Sequence, residues 1–520
     1  MKKIFIHLIA MIALLSGSLT QAADHILALH NEEEPRSLDP ATGFSDVENQ
    51  VITNLFDGLT EYDPKDNHPI PAGAESWKIS ADGRTYTFHL RKNAKWSDGS
   101  PVTAQDYEYG LKRLLNPKTA SEYAFILYYV KNGQAYNEGK IKDPKQVGIK
   151  TLNKETLQIT LNAPTPFFLT ICALFTVKPA KQSVVEKFGE NWALPEHIVT
   201  NGAYKLKEWI PQKAITLVKN PNYWDAARAK IQEVKFYPTA DRETAIKMYE
   251  SGEIDTVKRL PGIRVPELQK RPDFHVYPQN AVFYFSMNNK KSPFDNPKVR
   301  QAFSMSIDRK AITDFIMKAG EKPSGSFVPS GMPEYKSVYE VPYDPVKAKQ
   351  LLTEAGYGDP SKLPPIEMIY NTDQMYQQIV QAVQQMWKKN LGINITLRNM
   401  DWKTLVKTRM MGDFQLARDR WIGDYLDPNT YLEIFLTGSP MDYAGYSNKQ
   451  FDALVAQAGK EADPANRMAL MAQAEKILLE EAGLIPVATY TTTYLVKPQL
   501  KGFYGNLIDS HLVKYMSWEE

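Results

Sequence analysis

The chain has 520 residues, with 62 Lys and Arg against 60 Asp and Glu, and is 43% hydrophobic and 23% charged. That length leaves room for about two to four domains with real cores, and the composition excludes a wholly disordered or collagen-like chain. The near-balanced charge gives no general pull toward nucleic acid or anionic lipid.

Residues 1–23 begin with Lys2 and Lys3, continue through an apolar run from Ile4 to Leu15, and end in small residues at Ala22 and Ala23. This is the pattern of a cleavable secretory signal peptide, and the run is too short for a membrane span. Cleavage after Ala22 or Ala23 removes both lysines and leaves a mature charge of zero. No Cys lies near that point, so a lipid anchor is not expected. The sole cysteine, Cys172, sits in an apolar run and can form no internal disulfide. A buried, inert thiol is the expected state.

Residues 84–91 alternate and predict a half-buried strand. Thr103 with Asp106 reads as a helix start whose buried face carries Tyr107, Leu111, Leu114 and Leu115. From 296 to 418 helices and strands alternate. Asn296-Pro297 and Asp344-Pro345 each place a capping residue before a proline at the first helical position. The helix after Asp344 buries Ala348, Leu351, Leu352 and Ala355 and stops at Gly356. Further expectations are a helix over 374–390, a strand over 393–398, a helix from Asp401 to near Gly412, a strand over 414–418 and a helix over 464–482. The chain is α/β.

Motifs of catalysis are missing. There is no nucleophile elbow, S-x-x-K, HExxH or P-loop. His30, His68, His89, His197, His275 and His511 form no i, i+4 pair, so neither metal nor cofactor is expected. The acidic run Glu32-Glu33-Glu34 reads as a solvated surface. A periplasmic hydrolase is therefore unsupported.

Several ordered segments then carry a resemblance: residues 55–59 (LFDGL), 74–77 with Asp82-Gly83, 85–107, 198–206, 220–224 (NPNYW), 251–255 (SGEID) and 294–309, ending SIDR. They resemble the extracytoplasmic solute-binding proteins of peptide ABC importers (solute-binding protein family 5), most of all the periplasmic oligopeptide binders. The run Arg418-Asp419-Arg420-Trp421-Ile422-Gly423-Asp424-Tyr425 is similar to that group's R-x-x-W-x-x-D-Y pattern.

The resemblance implies a two-lobed periplasmic-binding-protein fold with three domains and a ligand cleft between the lobes. Domain I would comprise 24–56, 181–280 and 491–520, domain II 57–180, inserted in the N-terminal lobe, and domain III 281–490. Asp424 would bind the ligand's ammonium, with Gly423 beside it, Arg418 along the cleft and Trp421 as a side-chain platform. Tyr123 and Tyr490 match cleft tyrosines, and Phe44-Ser45-Asp46 a backbone stretch that pairs with ligand. Arg409 matches an arginine near the ligand's C-terminal end. Tyr376 and Met410 stand where better-known members have histidines. A disulfide of the group falls at Ala281 and Ile422 and is thus absent. Trp77, Trp96 and Trp224 read as packing residues.

The physics suits those residue types. A peptide taken without regard to sequence must be held by its backbone and its charged ends, and a buried ammonium needs a carboxylate. A zero mature charge suits ligands of either sign. The implied function is capture of short peptides in the periplasm, as a monomer, for a membrane permease and its ATPases, with no nucleic-acid partner. Tyr376 and Met410 keep open a murein-peptide binder or a binder of another solute, and a sensor or chaperone-like presenter shares the fold prediction.

Overall fold

Alternation of apolar residues builds three main sheets in the computed structural model, which describes residues 26–461 and 463–519. The signal-peptide reading lies outside the described residues. The first sheet runs in the order Leu27–His30, Glu233–Tyr237, Ala214–Lys219, Tyr204–Ile210, with a parallel first pair and antiparallel partners beyond it. The second is antiparallel: Ala74–Ile79, Thr85–Leu90, Thr156–Thr160, Ile149–Asn153. Tyr86, Phe88 and Leu90 are buried there, and their neighbours are half-exposed. These two sheets share one apolar core that reaches from Leu27 to Met516.

The third sheet is the largest, with seven strands. Its path is Thr256–Lys258, Leu484–Val496, Phe274–Met287, Leu416–Ile422, Glu367–Asn371, Thr396–Met400, and Lys322–Pro323 joins Leu484–Val496 from the side. It is covered on both faces. Ala281, Phe283, Phe285 and Met287 enter one core with Trp387, whereas Val282 and Tyr284 enter another with Phe327 and Tyr431. That is the period of two expected of a strand with no solvent face. The two long strands, Phe274–Met287 and Leu484–Val496, also reach the first body, where Phe274 and Leu495 pack with Ile246 and Leu260. Their pairing is interrupted between Pro278 and Val282.

Helix starts follow the capping residues. The Asp106 carboxylate accepts from the Thr103 N–H at 2.8 Å, and Tyr107, Leu111, Leu114 and Leu115 are buried. Asn296 and Asp344 cap Pro297–Met305 and Pro345–Glu354. The long helix is Gln374–Leu391, ended by Gly392 at φ 76°.

Three boundaries and one surface differ from expectation. The strand expected over 393–398 is Thr396–Met400: Ile393 and Ile395 are buried but pair with nothing in the ladder. The strand expected over 414–418 is Leu416–Ile422, carried through three charged residues. The helix expected over 464–482 is Pro464–Glu480. Only Glu33 of the acidic run is exposed; Glu32 pairs with Lys258 and Arg259, and Glu34 accepts from Trp209 and from the Gln212 N–H.

Candidate functional site

Strand Leu416–Ile422 sits between Phe274–Met287 and Glu367–Asn371, and its end delivers Asp424 to a junction between the two bodies. The turn is tight. The Gly423 N–H donates to the Asn280 carbonyl at 2.7 Å, and a Cβ at Gly423 would lie 2.2 Å from the Asn280 amide nitrogen. Only glycine fits there. The Asp424 N–H donates to Thr430 Oγ1 at 3.0 Å, which fixes the carboxylate's direction.

From the opposite body, the Tyr123 hydroxyl donates to Asp424 Oδ1 at 3.2 Å and the Tyr62 hydroxyl to its carbonyl at 3.4 Å. Oδ2 is shielded from solvent and has no hydrogen-bond partner among the described residues. Burial, reinforced by the charge of Glu433, raises the Asp424 carboxyl to about 7, with the Tyr123 bond pulling the other way. A carboxylate in that state lacks a cation.

Arg418 lies on the sheet face toward Tyr376 and Tyr490. Its guanidinium stacks 3.4 Å from the Tyr376 ring centroid, and the two tyrosine hydroxyls are 3.2 Å apart. Burial pushes the Tyr376 phenol up, but Arg418 and Arg420 more than offset it, so its acidity is enhanced. Trp421 points to the other face, half-buried against the core that holds Tyr431, and its indole N–H has no partner among the described residues. Tyr123 meets Phe44 edge-on at 5.9 Å.

The remaining expected residues have partners within the chain. Ser45 caps helix Asp46–Leu55: its N–H donates to Glu48 at 3.0 Å and its carbonyl accepts from Asn49. Asp46 pairs with Arg259 at 2.5 Å, and although burial alone would raise its carboxyl, Arg259 and Lys258 hold it well below the ordinary range. Arg409 is buried in an ion pair with Asp419, which also accepts from the Ser286 hydroxyl at 2.9 Å. Its charge is therefore neutralised in place. Met410 is exposed, and Ala281 and Ile422 face each other across paired strands.

Sequence reasoning missed a second carboxylate. Glu433 accepts from the Tyr425 hydroxyl at 2.8 Å, from the Asn429 amide at 3.1 Å and from the Tyr129 hydroxyl across the junction. Burial raises it to about 7, against the pull of the tyrosine bonds. Tyr425 stacks on Phe167 at 4.7 Å, and Arg467, bonded to Asp427 at 2.6 Å, lies over the same Phe167 ring. No motif spacing marks Glu433 or Tyr129; only the tyrosine of the D-Y pair pointed there. Nor does any motif spacing mark Arg420, whose guanidinium lies 5.9 Å from the Tyr490 ring centroid.

The model of the bacterial extracellular solute-binding proteins, family 5, matches residues 68–443. The chain belongs to that family. Among family 5 proteins, it is 38% identical to the dipeptide-binding protein DppE of Bacillus subtilis, over 92% of this chain and 90% of that one. It is 37% identical to the periplasmic oligopeptide-binding protein OppA of Escherichia coli, over 96% and 93%. Its structure matches that of the Escherichia coli murein tripeptide binding protein MppA with a TM-score of 0.88 at 37% identity, covering 96% of this chain and 99% of the other. The two-lobed α/β fold of the family is thus the fold of this chain, and the Asp424 junction lies between its lobes.

Proposed function

We propose that this family 5 protein captures short peptides by their free amino terminus and hands them to an ABC importer. The observation that carries this is Asp424: a carboxylate shut between two lobes, with one oxygen unpartnered and its charge disfavoured. A peptide ammonium supplies the missing donor and charge together. The resemblance of the whole chain to dipeptide and oligopeptide binders supports the same ligand class.

In this reading the two cores of the large sheet draw on residues 281–490 and support that span as domain III; the rest, whose two main sheets share one core, divides by sheet into domain I, 24–56, 181–280 and 491–520, and domain II, 57–180. The long strands form the hinge. The protein works as a monomer outside the cytoplasmic membrane and docks on a permease served by ATPases. Catalysis has no part; burial pushes the Cys172 thiol up and keeps it protonated. A murein-type peptide is the second reading, favoured by the match to MppA.

Native mass spectrometry of freshly purified protein tests both. Co-purifying linear di- to pentapeptides support the first reading, and a diaminopimelate-containing peptide the second. An empty protein whose melting no short peptide shifts would sink both.

A further inference from the structure

Arg418 and Arg420 stand two residues apart on strand Leu416–Ile422, so both side chains leave the same face. Arg418 covers the Tyr376 ring at 3.4 Å, and Arg420 lies 5.9 Å from the Tyr490 ring centroid. With the tyrosine hydroxyls 3.2 Å apart, two cations flank one phenol pair. Neither arginine forms an ion pair among the described residues; Arg418 is only 3% exposed, and although Arg409 and Arg467 share its unpartnered Nε, each of those has a carboxylate.

Other buried arginines are compensated. Arg409 has Asp419, Arg467 has Asp427, and Arg300 and Arg309 each donate to several carbonyls. Asp46 of the opposite lobe feels the charge of Arg420, but that carboxylate is already held by Arg259 and Lys258. Among the described residues, then, the Arg418–Arg420 pair faces tyrosines and is matched by no carboxylate of its own.

Resting on the peptide reading above, we propose that Arg420, beside the expected cleft residue Arg418, holds an acidic side chain of the ligand, so that the protein prefers peptides carrying one besides their C-terminal carboxylate. The charge count decides the ligand class. Asp424 asks for one ammonium, and the two arginines ask for two carboxylates. A peptide with a single acidic side chain supplies that set, and bidentate carboxylate binding by guanidinium suits the geometry. A neutral peptide leaves one arginine of the cleft unpaired, which low-dielectric surroundings penalise.

Calorimetric titration with tripeptide pairs tests the assignment: alanine peptides in which Glu or the near-isosteric Gln occupies each position in turn, with free or amidated C-termini. At one position the Glu peptide should bind about tenfold or more tightly than its Gln partner. In Arg420→Gln that ratio should fall below about threefold, and Arg420→Lys should keep part of it. A Glu-to-Gln ratio near one at every position in the wild type overturns the proposal with no variant needed. So does an unchanged ratio in a folded Arg420→Gln. If amidation alone weakens binding, the arginines serve the main-chain carboxylate and the acidic preference is refuted. Failure of every peptide to bind refutes the peptide reading itself, a different outcome from binding without charge preference.

Discussion

Asp424 and its neighbours show how a single carboxyl can report on ligand. Its ordinary value of 3.8 is raised to about 7 by burial and Glu433, so the folded, empty protein binds that proton more tightly than the unfolded chain does. The stability contribution is full at acid pH and is lost as pH rises through about 7, and Glu433 acts in the same direction. Empty protein should accordingly melt higher at pH 5.5 than at pH 8, and a bound peptide should narrow the difference. Binding needs the ionised form, so affinity should fall toward tenfold per pH unit below about 7 and release protons, as calorimetry in two buffers would show. Asp424→Asn should remove most of that acid limb and weaken binding by about 2–5 kcal/mol. The buried Arg409–Asp419 pair makes a different demand. Asp419→Ala should cost about 3–5 kcal/mol in urea unfolding, because it strands the guanidinium, whereas replacing both partners by apolar residues should cost far less. Asp424 was legible only through the R-x-x-W-x-x-D-Y likeness; by spacing alone it could be any turn aspartate. Arg420, Asp419 and Glu433 were not legible at all, since their meaning lies in which residues from distant strands stand opposite them.

The strand that carries the site explains why its boundary was misread. Arg418, Asp419 and Arg420 look like the end of a strand, because three charges rarely enter a covered sheet. Here Asp419 meets Arg409 and Ser286 on one face and the arginines meet tyrosines on the other, so the ladder continues to Ile422. At 393–398 the error ran the other way: alternating burial of Ile393 and Ile395 mimics a strand while the chain is still leaving its helix through Gly392. Elements defined by local chemistry, such as the Thr103–Asp106 helix start, were read correctly because capping needs no distant partner. The turn after the strand should be the least tolerant part of this element. Gly423→Ala would drive a methyl into the Asn280 amide, which is bonded to the Gly423 and Tyr425 carbonyls and to the Tyr431 hydroxyl. A loss of about 1–3 kcal/mol in denaturant unfolding is expected, with a further drop in peptide affinity as Asp424 shifts.

At the scale of the whole molecule, two long strands join the lobes, and a handful of polar contacts close them: Tyr123 and Tyr62 on Asp424, Tyr129 on Glu433. Phe167 stacked on Tyr425 adds an apolar contact across the junction, and on the proposed function this closure opens and shuts with ligand. Peptide should therefore reduce the radius of gyration seen by small-angle X-ray scattering, and Tyr129→Phe should leave the ligand-free protein more open than wild type. The balanced net charge, expected to suit ligands of either sign, averages over a junction that is locally uneven: among the described residues Asp424 has no ion-pair partner, and neither have Arg418 and Arg420. On the proposed function, Asp424 holds a peptide's ammonium. Titrating the wild-type protein with one short peptide, free and N-acetylated, tests it directly. Acetylation should weaken binding by about tenfold or more; equal affinities for the two forms would contradict it.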